Sequence, residues 1–178
     1  MQAIYEMGER EFGKMNDCDA FSCVDQDDIV SLRIICTLVG NSRYNIEALD
    51  RFGNTPLLYA CYLGRFECAR TLLEFRANIY AINYFGQNAL TLATYAGHFQ
   101  LVVELLRYRT YQDFNLSSLI PAVCVAVMRQ HYEIINFLTR LDSEGTMELQ
   151  TVHGLGVKDM RHMVRKAKTQ TQKQKRFC

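Results

Sequence analysis

The chain has no lysine between residues 29 and 149, no C-x-x-C pair among its seven cysteines, and little net charge, +1 over 178 residues. Each shortage closes off a class of protein. Cys18, Cys23, Cys36, Cys61, Cys68, Cys124 and Cys178 are odd in number and lack paired spacing, so neither a disulfide framework nor a zinc ribbon is indicated. Reduced thiols are expected. The uncharged stretch from Phe114 to Met128 is shorter than a bilayer span and carries Pro121 in its middle, so no membrane association is expected. Glu6 and Glu9 stand where a secretory signal would place lysines ahead of an apolar block, which predicts an intracellular, cytoplasmic protein. With 49% hydrophobic residues, the bulk of the chain is neither disordered nor collagen-like.

The small net charge conceals a division along the chain. Residues 1–28 hold eight acids against Arg10 and Lys14, and residues 150–178 hold eight lysines and arginines against Asp159 alone. Between them, residues 29–149 balance ten arginines with ten acids and contain most of the apolar side chains. This predicts an acidic lead over residues 1–16, a folded body over residues 17–148 and a basic, disordered tail over residues 149–178. After Val164 the tail has too few apolar side chains to offset its chain entropy, and disorder or a frayed helix is expected there.

Sliding the chain along itself reveals one period. Asp50-Arg51-Phe52-Gly53-Asn54-Thr55-Pro56-Leu57 is followed thirty-three residues later by Asn83-Tyr84-Phe85-Gly86-Gln87-Asn88-Ala89-Leu90, and the register continues through Ala60 and Ala93, Gly64 and Gly97, Leu72 and Leu105. A fixed period of this size marks stacked supersecondary units rather than one closed core. Gly53 permits the positive φ of a tight turn. Thr55 can cap a helix with Pro56 at its first position, where a missing N–H costs nothing. Leu57, Ala60 and Cys61 share the inward face of that helix, which Gly64 ends in the left-handed conformation. A second helix follows over about residues 66–74, with Ala69, Leu72 and Leu73 apolar.

Residues 50–82 resemble an ankyrin repeat: Gly53-Asn54-Thr55-Pro56-Leu57 matches the family's G-x-T-P-L, Gly64 its inter-helix glycine and Leu72-Leu73 its paired leucines. Residues 83–115 match nearly as well. A weaker copy spans residues 116–148, where Val123, Ala126, His131 and Leu138 hold register. There Leu119 and Gln130 replace both glycines, and Pro121 sits one place early. A degenerate copy spans residues 17–49, with Leu32 to Val39 as its longer helix and a poorly formed first helix over residues 18–26. The family's usual histidine after T-P-L is replaced by Leu58, Thr91 and Cys124, so its local hydrogen-bond network is absent. A non-glycine residue forced left-handed costs about 1–2 kcal/mol, which predicts a modestly stable array. The resemblance implies an all-α solenoid of about four units that binds another protein through its concave face and hairpin tips, without enzymatic activity or cofactor and as a monomer.

The positions that such a face would expose are Arg51, Phe52, Asn54, Tyr62 and Leu63 from one copy, and Tyr84, Phe85, Gln87 and Tyr95 from the next. The third copy contributes Ser117, Ser118, Ile120, Met128 and Arg129. Aromatic rings with arginine are the composition of interface hot spots, although the same rings can pack on one another along the array. His98 and His131 are thirty-three apart and are read as braces of the loop before the second helix. Cys61 and Cys68 lack the oriented base a nucleophile needs. The acids Asp17, Asp19, Asp25, Asp27 and Asp28 lack the glycine and final glutamate of a calcium loop, and His153 to Lys158 reads as a linker out of the array. In the tail, Arg165-Lys166-Ala167-Lys168 and Lys173-Gln174-Lys175-Arg176 resemble a two-part nuclear-import signal. The same charges admit an alternative, a nuclear regulator that touches nucleic-acid phosphates.

Overall fold

The computed structural model describes residues 19–38, 45–141, 150, 154–163 and 165–166. Among these are α1 (Ala20–Gln26), α2 (Ile29–Thr37), α3 (Pro56–Leu63), α4 (Phe66–Glu74), α5 (Ala89–Ala96), α6 (Phe99–Tyr108), α7 (Tyr111–Leu116), α8 (Ala122–Arg129) and α9 (Tyr132–Leu141). Four antiparallel pairs, α1–α2, α3–α4, α5–α6 and α8–α9, stack into two layers. The inner row is α1, α3, α5 and α8; the outer row is α2, α4, α6 and α9.

Local chemistry sets the limits of these helices. Thr55 accepts from the Leu58 N–H at 3.3 Å with Pro56 as the first helical residue, and Asn88 does the same for Thr91 at 2.9 Å. Each inner helix ends on a left-handed residue: Asp27, Gly64, Gly97 and Gln130, with φ of 57°, 78°, 86° and 63°. Ala60, Ala93 and Ala126 recur in register and are fully buried, and Leu57, Leu72, Leu90, Leu105 and Leu138 fill the space between the rows.

Three expectations need correction. The first helix of the first unit is well formed from Ala20 on, because Asp19 caps it through the Ser22 N–H at 2.7 Å. In the last unit Leu119 avoids the left-handed backbone, which among the described non-glycine residues is adopted by Asp27, Arg76 and Gln130 alone. The connection is rebuilt instead. Thr110 and Asp113 form a capping box that starts α7, and α7 buries Tyr111 and Phe114. Pro121 offers α8 no side-chain cap, and the Tyr111 hydroxyl accepts from the Val123 N–H at 3.2 Å in its place.

The third correction concerns the tail. Residues 157–163 are helical, Gln150 bridges to Gly156, and the Gly156 N–H donates to Asp159 at 3.0 Å. Val157 and Met160, three apart and so on one helical face, are buried in the same core as the repeats. Order therefore continues beyond residue 148, through part of what reads as linker and disordered tail. The acidic lead, Cys18, the remainder of the segment around residues 39–44, and Lys168, Lys173, Lys175, Arg176 and Cys178 lie outside the described residues.

Candidate protein-binding face

Composition decides what each row presents. Among the residues of α3, α5 and α8, Arg129 is the one charged side chain, whereas α4, α6 and α9 all carry both acids and arginines. Three of the four inner helices, α3, α5 and α8, thus present an almost uncharged surface lined with rings at the period of the repeat, whereas α1 carries Asp25.

Tyr62 of α3 and Tyr95 of α5 stack with centroids 6.5 Å apart and planes 26° apart, and the Arg129 guanidinium of α8 lies 4.5 Å above the Tyr95 ring. At the hairpin tips Phe52 and Phe85 approach to 6.3 Å, with the Arg51 guanidinium 4.7 Å from Phe52. The Tyr84 N–H donates to the Phe52 carbonyl at 3.0 Å while its side chain stays 71% exposed. The rings therefore pack on one another along the array and still face solvent: Phe85 is exposed, and Phe52, Tyr62 and Tyr95 are half-buried. Between α5 and α8 a recess of about 350 Å³ opens among Thr91, Tyr95, Ile120, Val125, Met128 and Arg129.

Asn54 and Gln87, expected at the surface of this face, are buried and are corrected to structural roles. The Asp50 carboxylate accepts from the N–H groups of Phe52 and Asn54 at 2.8 Å, and the Asn83 side-chain carbonyl accepts from those of Phe85 and Gln87 at 3.0 Å. The Asn83 amide then donates to Asn54 Oδ1 and Gln87 Oε1, both at 3.0 Å, which ties one hairpin to the next. These contacts hold Phe52 and Phe85 side by side. The signal in the sequence was the period itself, since Asp50 and Asn83 each stand four residues before the side chain they brace.

A family model described as ankyrin repeats (three copies) matches residues 24–118, the stretch that holds both hairpins and both stacked tyrosines. The chain belongs to the ankyrin-repeat family. The α8–α9 pair lies beyond the matched residues and continues the same stacking. The chain is also similar to a protein of Drosophila melanogaster named DNA replication inhibitor plutonium, 63% identical over 154 residues that cover 86% of this chain and 88% of that protein. As an ankyrin-repeat array it is a protein-interaction module and not an enzyme.

The histidines of the ankyrin units brace loops, as their spacing predicts, but each acts on the preceding unit. His98 Nε2 donates to the Tyr62 carbonyl at 3.1 Å and His131 Nε2 to the Tyr95 carbonyl at 3.2 Å. One unit earlier Arg65 does the same work, donating to the Asp25 carbonyl at 2.9 Å, a role that sequence reading missed because the residue type changes. The two tyrosines of the inner face are thereby held by the repeat that follows each.

The other candidates serve the fold. Asp19 and Asp28 cap α1 and α2, Asp25 accepts from the Tyr59 hydroxyl at 3.0 Å, and Asp27 pairs with Arg65 at 3.7 Å. Asp17 lies outside the described residues. Burial pushes the Cys61 thiol up to about 12 and the Cys124 thiol up to about 11. Cys68 is also pushed up to about 12, by burial first and then by the Asp27 carboxylate 3.4 Å away. Such thiols are poor nucleophiles. Among the described residues no cluster of His, Cys, Asp and Glu could hold a metal ion, and no helix is long and apolar enough to cross a membrane. Of the basic tail positions, Arg165 and Lys166 are helical and exposed.

Proposed function

We propose that this ankyrin array captures a partner protein on its inner row and hairpin tips, through Arg51, Phe52, Tyr62, Tyr84, Phe85, Tyr95 and Arg129, and that the complex restrains DNA replication. The observation that carries the binding half is the run of half-exposed rings and ring-stacked arginines along helices that hold no acid. Aromatic and arginine anchors on a pre-formed surface are where binding energy concentrates, because they desolvate large areas with little loss of side-chain freedom. The replication half rests on the likeness to the Drosophila protein, whose name states that it inhibits DNA replication. Action on replication calls for entry to the nucleus, and the two basic clusters at 165–168 and 173–176 have the composition of an import signal.

The test is a double substitution, Phe52→Ser with Phe85→Ser. The rings sit at the hairpin tips outside the buried core, so the far-UV helical signal is expected to survive while partner capture and any slowing of DNA synthesis in cell extract are lost. A variant that unfolds instead would make the rings part of the core. One that folds and still slows synthesis would move the functional face elsewhere.

A further inference from the structure

Three arginines of the outer row have carboxylate partners: Arg33 reaches Glu74 at 2.9 Å, Arg70 reaches Glu67 and Glu74, and Arg107 reaches Glu104 at 3.1 Å. Arg129 on the inner face and Arg51 at its hairpin tip each sit over a ring, 4.5 Å and 4.7 Å from its centroid, and neither forms a salt bridge to any described residue; Arg109, over Tyr80 at the end of α6, is the same in this respect but belongs to the outer row. A guanidinium that rests on a ring without a carboxylate partner keeps its fork of N–H donors available to one. Around Arg129 no acid competes, since residues 84–87 and 117–120, like α3, α5 and α8, contain neither Asp nor Glu; beside Arg51, the Asp50 carboxylate is taken up by the Phe52 and Asn54 N–H groups and the Asn54 amide. A cationic segment laid along α3, α5 and α8 would find no counter-charge on those helices, whereas an anionic one finds the guanidinium of Arg129 and, at the hairpin tip, that of Arg51.

Beside Arg129 lies the recess between α5 and α8, whose wall includes Ile120, the nearly buried Val125 and the 41% exposed Met128. An unbranched thioether at the mouth adapts to the shape of an entering side chain. We infer that the segment captured by the inner row is an extended acidic and apolar stretch of the partner, whose Asp or Glu pairs with Arg129 while an adjacent large apolar side chain fills the recess. An extended chain advances about 3.3 Å per residue, so the two groups stand next to each other or one residue apart. This specificity rests on the inner-row reading above and deepens it.

Random peptides displayed on phage and selected on the full chain test it. Selection on the wild type is expected to enrich Asp or Glu beside Leu, Ile, Met or Phe, and a fluorescent copy of a selected peptide is expected to bind Arg129→Glu about tenfold or more weakly, with Arg129→Lys in between. Met128→Ser is expected to weaken binding without changing the preference for acid. Enrichment of basic or purely apolar peptides, or acidic peptides that bind Arg129→Glu as well as wild type, overturns the inference. Peptides that also bind the Phe52→Ser, Phe85→Ser, Tyr95→Ala triple variant undiminished, or a failure to enrich any peptide, sink the inner-row reading itself. Peptides lost on that triple variant but lacking an acid sink only the specificity. Unchanged far-UV signals across the variants establish that binding, not folding, is being read.

Discussion

A methyl group at Gly64 would stand 2.4 Å from the His98 ring, on a backbone whose φ is +78°. Two costs coincide at this residue. The left-handed backbone disfavours any Cβ by about 1–2 kcal/mol, and the ring that binds the Tyr62 carbonyl occupies the space a side chain would take. Gly64→Ala is therefore expected to destabilise the array by more than that backbone cost, and His98→Ala in the same chain should restore part of the loss. Urea unfolding of the two single variants and the double variant separates the terms, because a purely conformational effect leaves the two substitutions additive. The glycine and the histidine were both legible in the sequence as members of a period. Their meeting across units was not, since a period places residues within a repeat and says nothing of which side chain of the next one covers them.

Thiols give a second prediction at this scale. The folded values of Cys61 and Cys68, about 12, and of Cys124, about 11, lie above the ordinary thiol value near 8.5. A value raised by folding means that the unfolded chain loses these protons first as pH climbs. Their contribution is fully present below about pH 8.5 and is lost progressively toward the folded values. Unfolding free energy is expected to fall above about pH 9, and less steeply in Cys61→Ala. At pH 8, mass spectrometry after iodoacetamide should find these three cysteines unmodified until urea is added.

At the scale of elements, α7 is the place where this array departs most from its neighbours. A turn like those at Gly53 and Gly86 would need a left-handed residue at Leu119, and a capped helix that buries Tyr111 and Phe114 replaces it. The same helix supplies the cap that Pro121 cannot, so the start of α8 depends on Tyr111. Tyr111→Phe keeps the ring and strands the Val123 N–H, which is expected to cost about 1–3 kcal/mol. Thr110→Ala removes only the cap of α7 and is expected to cost about 1 kcal/mol. Equilibrium urea curves decide the order, and a Tyr111→Phe variant as stable as wild type would show that α8 needs no cap. The sequence showed where the repeat weakened, through Leu119 and Pro121. It also held the capping-box spacing of Thr110 and Asp113, but a repeat register does not distinguish that spacing from a turn.

Over the whole molecule, stability in a single-file stack is a sum over neighbours, and each end needs a closing surface. The sequence marks residues 149–178 as an unstructured tail because charge dominates their composition, and charge does hide the pair that matters. Val157 and Met160 are two apolar residues among Lys158, Asp159 and Arg161, yet both are buried in the common core. Met160→Ala is expected to lower stability by about 2 kcal/mol or more, in the range of other buried large-to-small changes. Where that loss is felt distinguishes a stack from a globule. Amide hydrogen exchange is expected to quicken first in α8 and α9, the last pair of the array, with α3 to α6 slowed or unchanged relative to them, because coupling passes only from unit to unit. Equal acceleration in all four pairs would mean that the molecule opens as one body, and that the helix over residues 157–163 is part of a shared core rather than the closing element of a stack.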